Sequence, residues 1–143
     1  MEHDRSRRLL FGGVLLFFLG LLTGLLLPLL PYPRLGLGAH MTAVMNGMFL
    51  VLLGLLWDRL VLSARAASLA FGLILYAAYA NWAFSLLGAI LGTGRFTPLA
   101  AGGRLALPWR EALVGAGLVT LAIAMITGCI LLLFGLRRPA GGR

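Results

Sequence analysis

The sequence predicts an all-α membrane protein, a bundle of four transmembrane helices, and three observations carry that prediction. Of 143 residues, 61% are apolar and only 11% charged, with a mean hydropathy of +1.01, outside the range of an ordinary soluble domain. The apolar residues gather in four runs, about 9–30, 37–57, 66–91 and 112–136, each at or above the roughly 20 residues that cross a hydrocarbon core. All twelve basic residues are arginine, and an up-and-down path through those runs puts eight on one side and four on the other. The positive-inside rule then expects both termini in the cytoplasm, as for a protein of a bacterial-type inner membrane. The formal charge of +8 is explained by helix orientation and anionic lipid head groups, so no nucleic-acid partner is implied.

The first run follows Arg5, Arg7 and Arg8 as a signal peptide would. It is longer than an h-region of about 7 to 15 residues and has no A-x-A-like site before Pro28, so it is expected to stay as a helix. Pro28, Pro31 and Pro33 end it, and Tyr32 suits the membrane interface. The second run ends at Trp57-Asp58-Arg59. The third gives way to the one long connection, residues 92–110, which lies on the outer side and reads either as a plain connector or as a lid. Gly20 with Gly24, and Gly88 with Gly92, have the small-xxx-small spacing of close helix contacts. Short loops and the absence of an inverted repeat make residues 1–143 one domain.

Few residues in the spans can carry chemistry. Glu2, Asp4, Asp58 and Glu111 all fall at helix ends or in tails, which leaves a proton-coupled transporter without its carboxylate. Cys129 is the single cysteine, so neither an intrachain disulfide nor a cysteine zinc site is available, and it reads as a small packing residue. The polar residues predicted within the bilayer are Thr23, His40, Thr42, Asn46, Tyr76, Tyr79, Asn81, Ser85, Thr120 and Thr127. The hydroxyls of Thr and Ser usually bond back to the preceding turn or across to a neighbouring helix.

An imidazole in lipid needs a partner, so His40 reads either as a histidine bonded across helices or as an axial haem ligand. His3 sits in a basic tail and carries no expectation. Asn46, six residues after His40, is displaced by roughly 9 Å and 120° on an ideal helix, so the two do not share a face. Gly47 and Gly54 continue the His40 face and leave it flat enough for a planar group or a neighbouring helix. Met41, Met45 and Met48 form another stripe, read as ordinary core or as the lining for an aromatic ligand. On the third run Y-A-A-Y-A-N-W, residues 76–82, gathers hydroxyl, amide and indole groups. Asn81 must find a hydrogen-bond partner, and one option is a simple pair with Asn46.

Three segments carry a family resemblance: R-R-L-L-F-G-G-V-L-L-F-F-L-G-L-L-T-G-L, P-R-L-G-L-G-A-H-M-T-A-V-M-N-G-M-F-L and Y-A-A-Y-A-N-W. Together they resemble the hydroxylaminobenzene mutases, small membrane isomerases related to the styrene oxide isomerases, and A-H-x-x-x-x-x-N-G is the most specific part. The resemblance implies four-helix subunits in a homotrimer with a b-type haem between neighbours, His40 as the axial ligand of the haem iron and Asn46 beside a small aromatic substrate. The epoxide isomerases carry a tyrosine where this chain has Ser85 and an acid where it has Ala77, so the resemblance leans to the mutase branch, with Tyr79 and Asn81 as substrate contacts. It implies rearrangement of an aryl hydroxylamine to an ortho-aminophenol, with ferric haem as Lewis acid, in aromatic compound degradation. An epoxide isomerase, a non-enzymatic haem- or lipid-binding protein and a purely structural bundle are the alternatives.

Overall fold

The computed structural model describes residues 2–137, with side chains from Asp4 onward, so the His3 side chain and residues 138–143 lie outside what is described. Its elements are α1 (Glu2–Leu25), α2 (Pro33–Leu56), α3 (Ala64–Leu91), a single turn α4 (Pro98–Ala101) and α5 (Pro108–Arg137), with 3-10 turns at Leu27–Leu29 and Trp57–Arg59. Four of the helices are long and apolar enough to cross a membrane.

Their ends depart from the hydropathy runs for local reasons. α1 begins inside the charged tail, where Asp4 pairs with Arg8 one turn on at 3.1 Å and the Ser6 hydroxyl donates to the Gly54 carbonyl at 2.7 Å. It stops before Pro28 rather than at residue 30, because proline offers no N–H to the helix ladder. α2 and α5 start at Pro33 and Pro108, earlier than residues 37 and 112, since proline is preorganised for the first helical position and hydropathy overlooks the polar first turns. Ser63 caps α3, accepting from the Ala66 amide at 3.3 Å. Gly92, with φ of 73°, closes α3 in the left-handed conformation that favours glycine, and both its N–H and that of Thr93 bond the Gly88 carbonyl. Gly92 is therefore a helix stop, while Gly88 sits against α5, where an added Cβ would stand 3.6 Å from Val114.

The long helices stand side by side in chain order. The most extensive contact is α1 with α2, followed by α3 with α5 and α2 with α3, whereas α1 and α5 share no comparable contact. Four crossings return the chain to one side, where the Val61 amide bonds the Gly135 carbonyl at 3.0 Å. Leu9, Leu16, Leu50 and Ile74 are fully buried at the centre, and Trp57 meets Phe71 edge-on with ring centroids 5.9 Å apart.

Between α1 and α2 the backbones come close. A Cβ on Gly47 would stand 2.6 Å from the Phe17 nitrogen, and one on Gly13 would stand 2.7 Å from the Gly47 carbonyl oxygen. Gly20 opposes Ala43 in the same way. The flat glycine face that continues from His40 is therefore occupied by α1, a neighbouring helix and not a planar group. The methionine stripe is not core within the chain: Met41, Met45 and Met48 are 53%, 61% and 47% exposed, and Met48 borders a groove with Val14 and Phe17 of α1.

Candidate active site

His40 lies near the start of α2 against α1. Its Nδ1 is 2.7 Å from the Gly20 carbonyl oxygen, which can only accept, so Nδ1 is the donor and the tautomer with this proton has its lone pair on Nε2. Gly24 makes room for the ring: a Cβ there would stand 2.8 Å from Nδ1. The neighbouring Thr23 accepts the Trp82 indole N–H at 3.0 Å while its own hydroxyl donates to Leu19 at 2.8 Å. Trp82 thus ties α3 to the α1 wall beside the His40 ring, a role that its apolar bulk concealed in the sequence.

Asn46 projects from another face of α2 toward α3, and its Nδ2 donates to the Ala78 carbonyl at 3.3 Å. The bond is long, and it leaves Oδ1 and one amide proton uncommitted. The Asn46 and Asn81 pair does not form. Asn81, three residues beyond Ala78, makes no side-chain hydrogen bond among the described residues and lines a cavity of about 390 Å³ between α2, α3 and α5. Thr42 and Ser85 share that cavity, so two hydroxyls read as structural stand beside the amide of Asn81. Phe84 and Phe96 supply aromatic wall.

The connection after α3 roofs this cavity and is folded. Glu111, buried in the first turn of α5, accepts from the Gly94 amide at 2.9 Å, the Arg95 amide at 3.1 Å and the Ala106 amide at 2.7 Å. One carboxylate thereby ties together both ends of the connection. Its position at a helix end matched the sequence, but its burial was hidden because hydropathy cannot see backbone partners.

Tyr79 faces the other way. Its hydroxyl donates to the Gly12 carbonyl at 2.8 Å and stands in a separate groove between α1 and α3, while Tyr76 bonds Thr120 at 2.9 Å. Within one chain, then, His40 and Tyr79 face α1, Asn46 faces α3, and Asn81 faces the roofed cavity. No group of three or more His, Cys, Asp or Glu side chains that could hold a metal ion occurs among the described residues.

Comparison with known proteins decides what this architecture belongs to. The family model described as styrene oxide isomerase matches residues 5–137. The chain belongs to the styrene oxide isomerase family. Among its curated relatives are two mutases from Ectopseudomonas oleovorans. Hydroxylaminobenzene mutase HabB is 47% identical over 139 residues, 96% of this chain and 85% of that one, and hydroxylaminobenzene mutase HabA is 40% identical over 128 residues, 89% and 95% of the two chains. No solved structure matches the chain. Family and relatives together make this protein an enzyme of the isomerase class, carried on four apolar helices.

Proposed function

We propose that this protein is a mutase that rearranges an aryl hydroxylamine, such as hydroxylaminobenzene, to the 2-aminophenol, and that it works as a homotrimer with a b-type haem between subunits. The His40 ring is the observation that carries the reading. With Nδ1 fixed on Gly20, Nε2 is the one imidazole nitrogen available to an axial bond, and an outer hydrogen bond of this kind orients a ligating histidine. His40 would hold the haem, and the ferric iron would supply a Lewis acid for the oxygen of the N–O bond.

The rearrangement moves one hydroxyl: the N–O bond breaks, a C–O bond forms at the ortho carbon, that carbon loses its proton and the nitrogen gains one. Substrate and product are isomers, so no reductant or second substrate is required. The protein's part is to hold the migrating oxygen near the ring and keep water out. Asn46, with its unused Oδ1 and amide proton, would orient that oxygen. Asn81 would add a donor, and Tyr79, whose proton is engaged with Gly12, would offer a smaller contribution. Ala77, where the epoxide isomerases carry an acid, is fully buried in an apolar cluster with Leu121 and Ala124, which favours the mutase over an epoxide-to-aldehyde isomerase.

Phenylhydroxylamine and styrene oxide, each given to detergent-purified protein with product analysis, test the reaction. The mutase reading expects 2-aminophenol from the first, and phenylacetaldehyde from the second with no aminophenol would replace it. His40→Ala should lose the Soret band and turnover together, whereas an intact band with full turnover would end the ligand assignment. Particle mass in detergent tests the trimer. Reporter fusions should place both termini in the cytoplasm, and a tag near Gly102 outside.

A further inference from the structure

We propose that the groove between α1 and α3 is a binding site for one anionic phospholipid of the arginine-rich leaflet. The groove encloses about 850 Å³, is open along one side, and touches none of the residues assigned to the haem; it shares only Tyr79 with the candidate substrate contacts.

The shape follows from what the two helices bring to it. α1 and α3 are each packed on α2 and touch one another only slightly, which leaves a trough above α2. Phe11 and Leu15 form one wall, Phe71 and Leu75 the other. Gly72 keeps the trough wide, for a Cβ there would meet nothing within 4 Å. Tyr79 is bonded to the Gly12 carbonyl, so the inner part of the trough offers few free polar groups.

Charge gathers at the mouth. Arg7 and Arg8 stand there with Asp4, and Asp4 pairs with Arg8 in the one ion pair among the described residues, so Arg7 adds a positive charge that no carboxylate there offsets. From Arg8 to Leu15 a helix rises roughly 10 Å, which keeps the trough within the roughly 15 Å of one leaflet's hydrocarbon. A cationic mouth at head-group level above an apolar trough fits a phosphate and an acyl chain. A small uncharged aryl substrate would leave the arginines unused. An apolar helix from a second copy would cover two guanidinium groups against a single carboxylate, a desolvation that a lipid avoids by keeping its phosphate at the interface.

Native mass spectrometry of the full-length protein, released from mild detergent with added dioleoylphosphatidylglycerol or dioleoylphosphatidylcholine, tests the site. One phosphatidylglycerol per chain should be retained, with on the order of tenfold preference over phosphatidylcholine. Arg7→Gln with Arg8→Gln should abolish the preference, and Arg7→Lys with Arg8→Lys should keep most of it. Gly72→Leu, which fills the trough without touching the charges, should remove retention of both lipids. Equal retention of the two lipids by the unaltered protein overturns the proposal. So does a preference that survives the double glutamine change, or undiminished binding in Gly72→Leu. Spontaneous disulfide linkage between chains through Leu15→Cys would assign the groove to a second copy and also overturn it.

Discussion

The two buried faces of α2 are built on opposite principles. Toward α1 the contact is glycine against backbone, with Gly13, Gly20, Gly47 and Gly54 bringing the helices so close that no added methyl fits without displacement. Toward α3 the same helix presents Thr42 and Asn46, one hydrogen bond is long, and a cavity opens beside it. The first face seats one imidazole in a fixed tautomer, and the second leaves an amide with unused groups. Rigidity on one side and spare hydrogen-bonding capacity on the other is the division of labour that a site needing one preorganised ligand and one adaptable contact requires.

Breaking the tight face should produce the largest effect. Gly47→Leu drives a side chain into the α1 backbone, a displacement that costs more than the roughly 1–3 kcal/mol of ordinary overpacking, so little monodisperse protein should survive purification. A melting temperature close to that of the unaltered protein would show that the closeness is dispensable.

Asn46→Ala addresses the open face. If the protein carries haem as proposed, the change should lower turnover per haem by about one to three orders of magnitude, with the haem spectrum nearly unchanged. If the variant were instead less stable by about 1 kcal/mol and fully active per haem, Asn46 would be a strut between helices and nothing more. Asn81→Ala should act in the same direction and less strongly.

Tyr79→Phe removes only the hydroxyl bonded to Gly12, so a stability loss of about 1 kcal/mol in thermal melts is expected, with turnover changed by less than in Asn46→Ala. The smallest effect belongs to Gly38→Ala. Gly38 lies on α2 with nothing within 4 Å of an added Cβ, and there the change should stabilise by up to about 1 kcal/mol through helix propensity. A marked loss of stability in Gly38→Ala would erase the contrast between the faces.

The fold was largely legible because hydropathy and proline placement act locally, and four runs became four helices. The separation of His40 from Asn46 was legible too, since helical rotation is a property of the chain alone. Contact partners were not. Nothing in Met41, Met45 and Met48 says whether a stripe turns inward, because in a membrane the outside is as apolar as the core. The sequence offered Asn46 as one partner for the amide of Asn81, yet that amide faces a cavity completed by α5 and the folded connection, elements remote along the chain. Glu111 was placed correctly at a helix end, but its three backbone partners depend on how residues 94–106 fold back.

The serial order of the helices has a bearing on how the protein is made. Each long helix after the first packs extensively on the long helix synthesised just before it, and α1 and α5 share no comparable contact. A chain leaving the ribosome amino-terminus first can therefore dock every new span onto one already in the bilayer, without holding an early segment open for a late partner. The α1 and α2 hairpin, with its glycine contact and the His40 ring already seated on Gly20, is complete before α3 exists. The imidazole is thus oriented during biosynthesis, ahead of the helices that supply Asn81 and the roofed cavity.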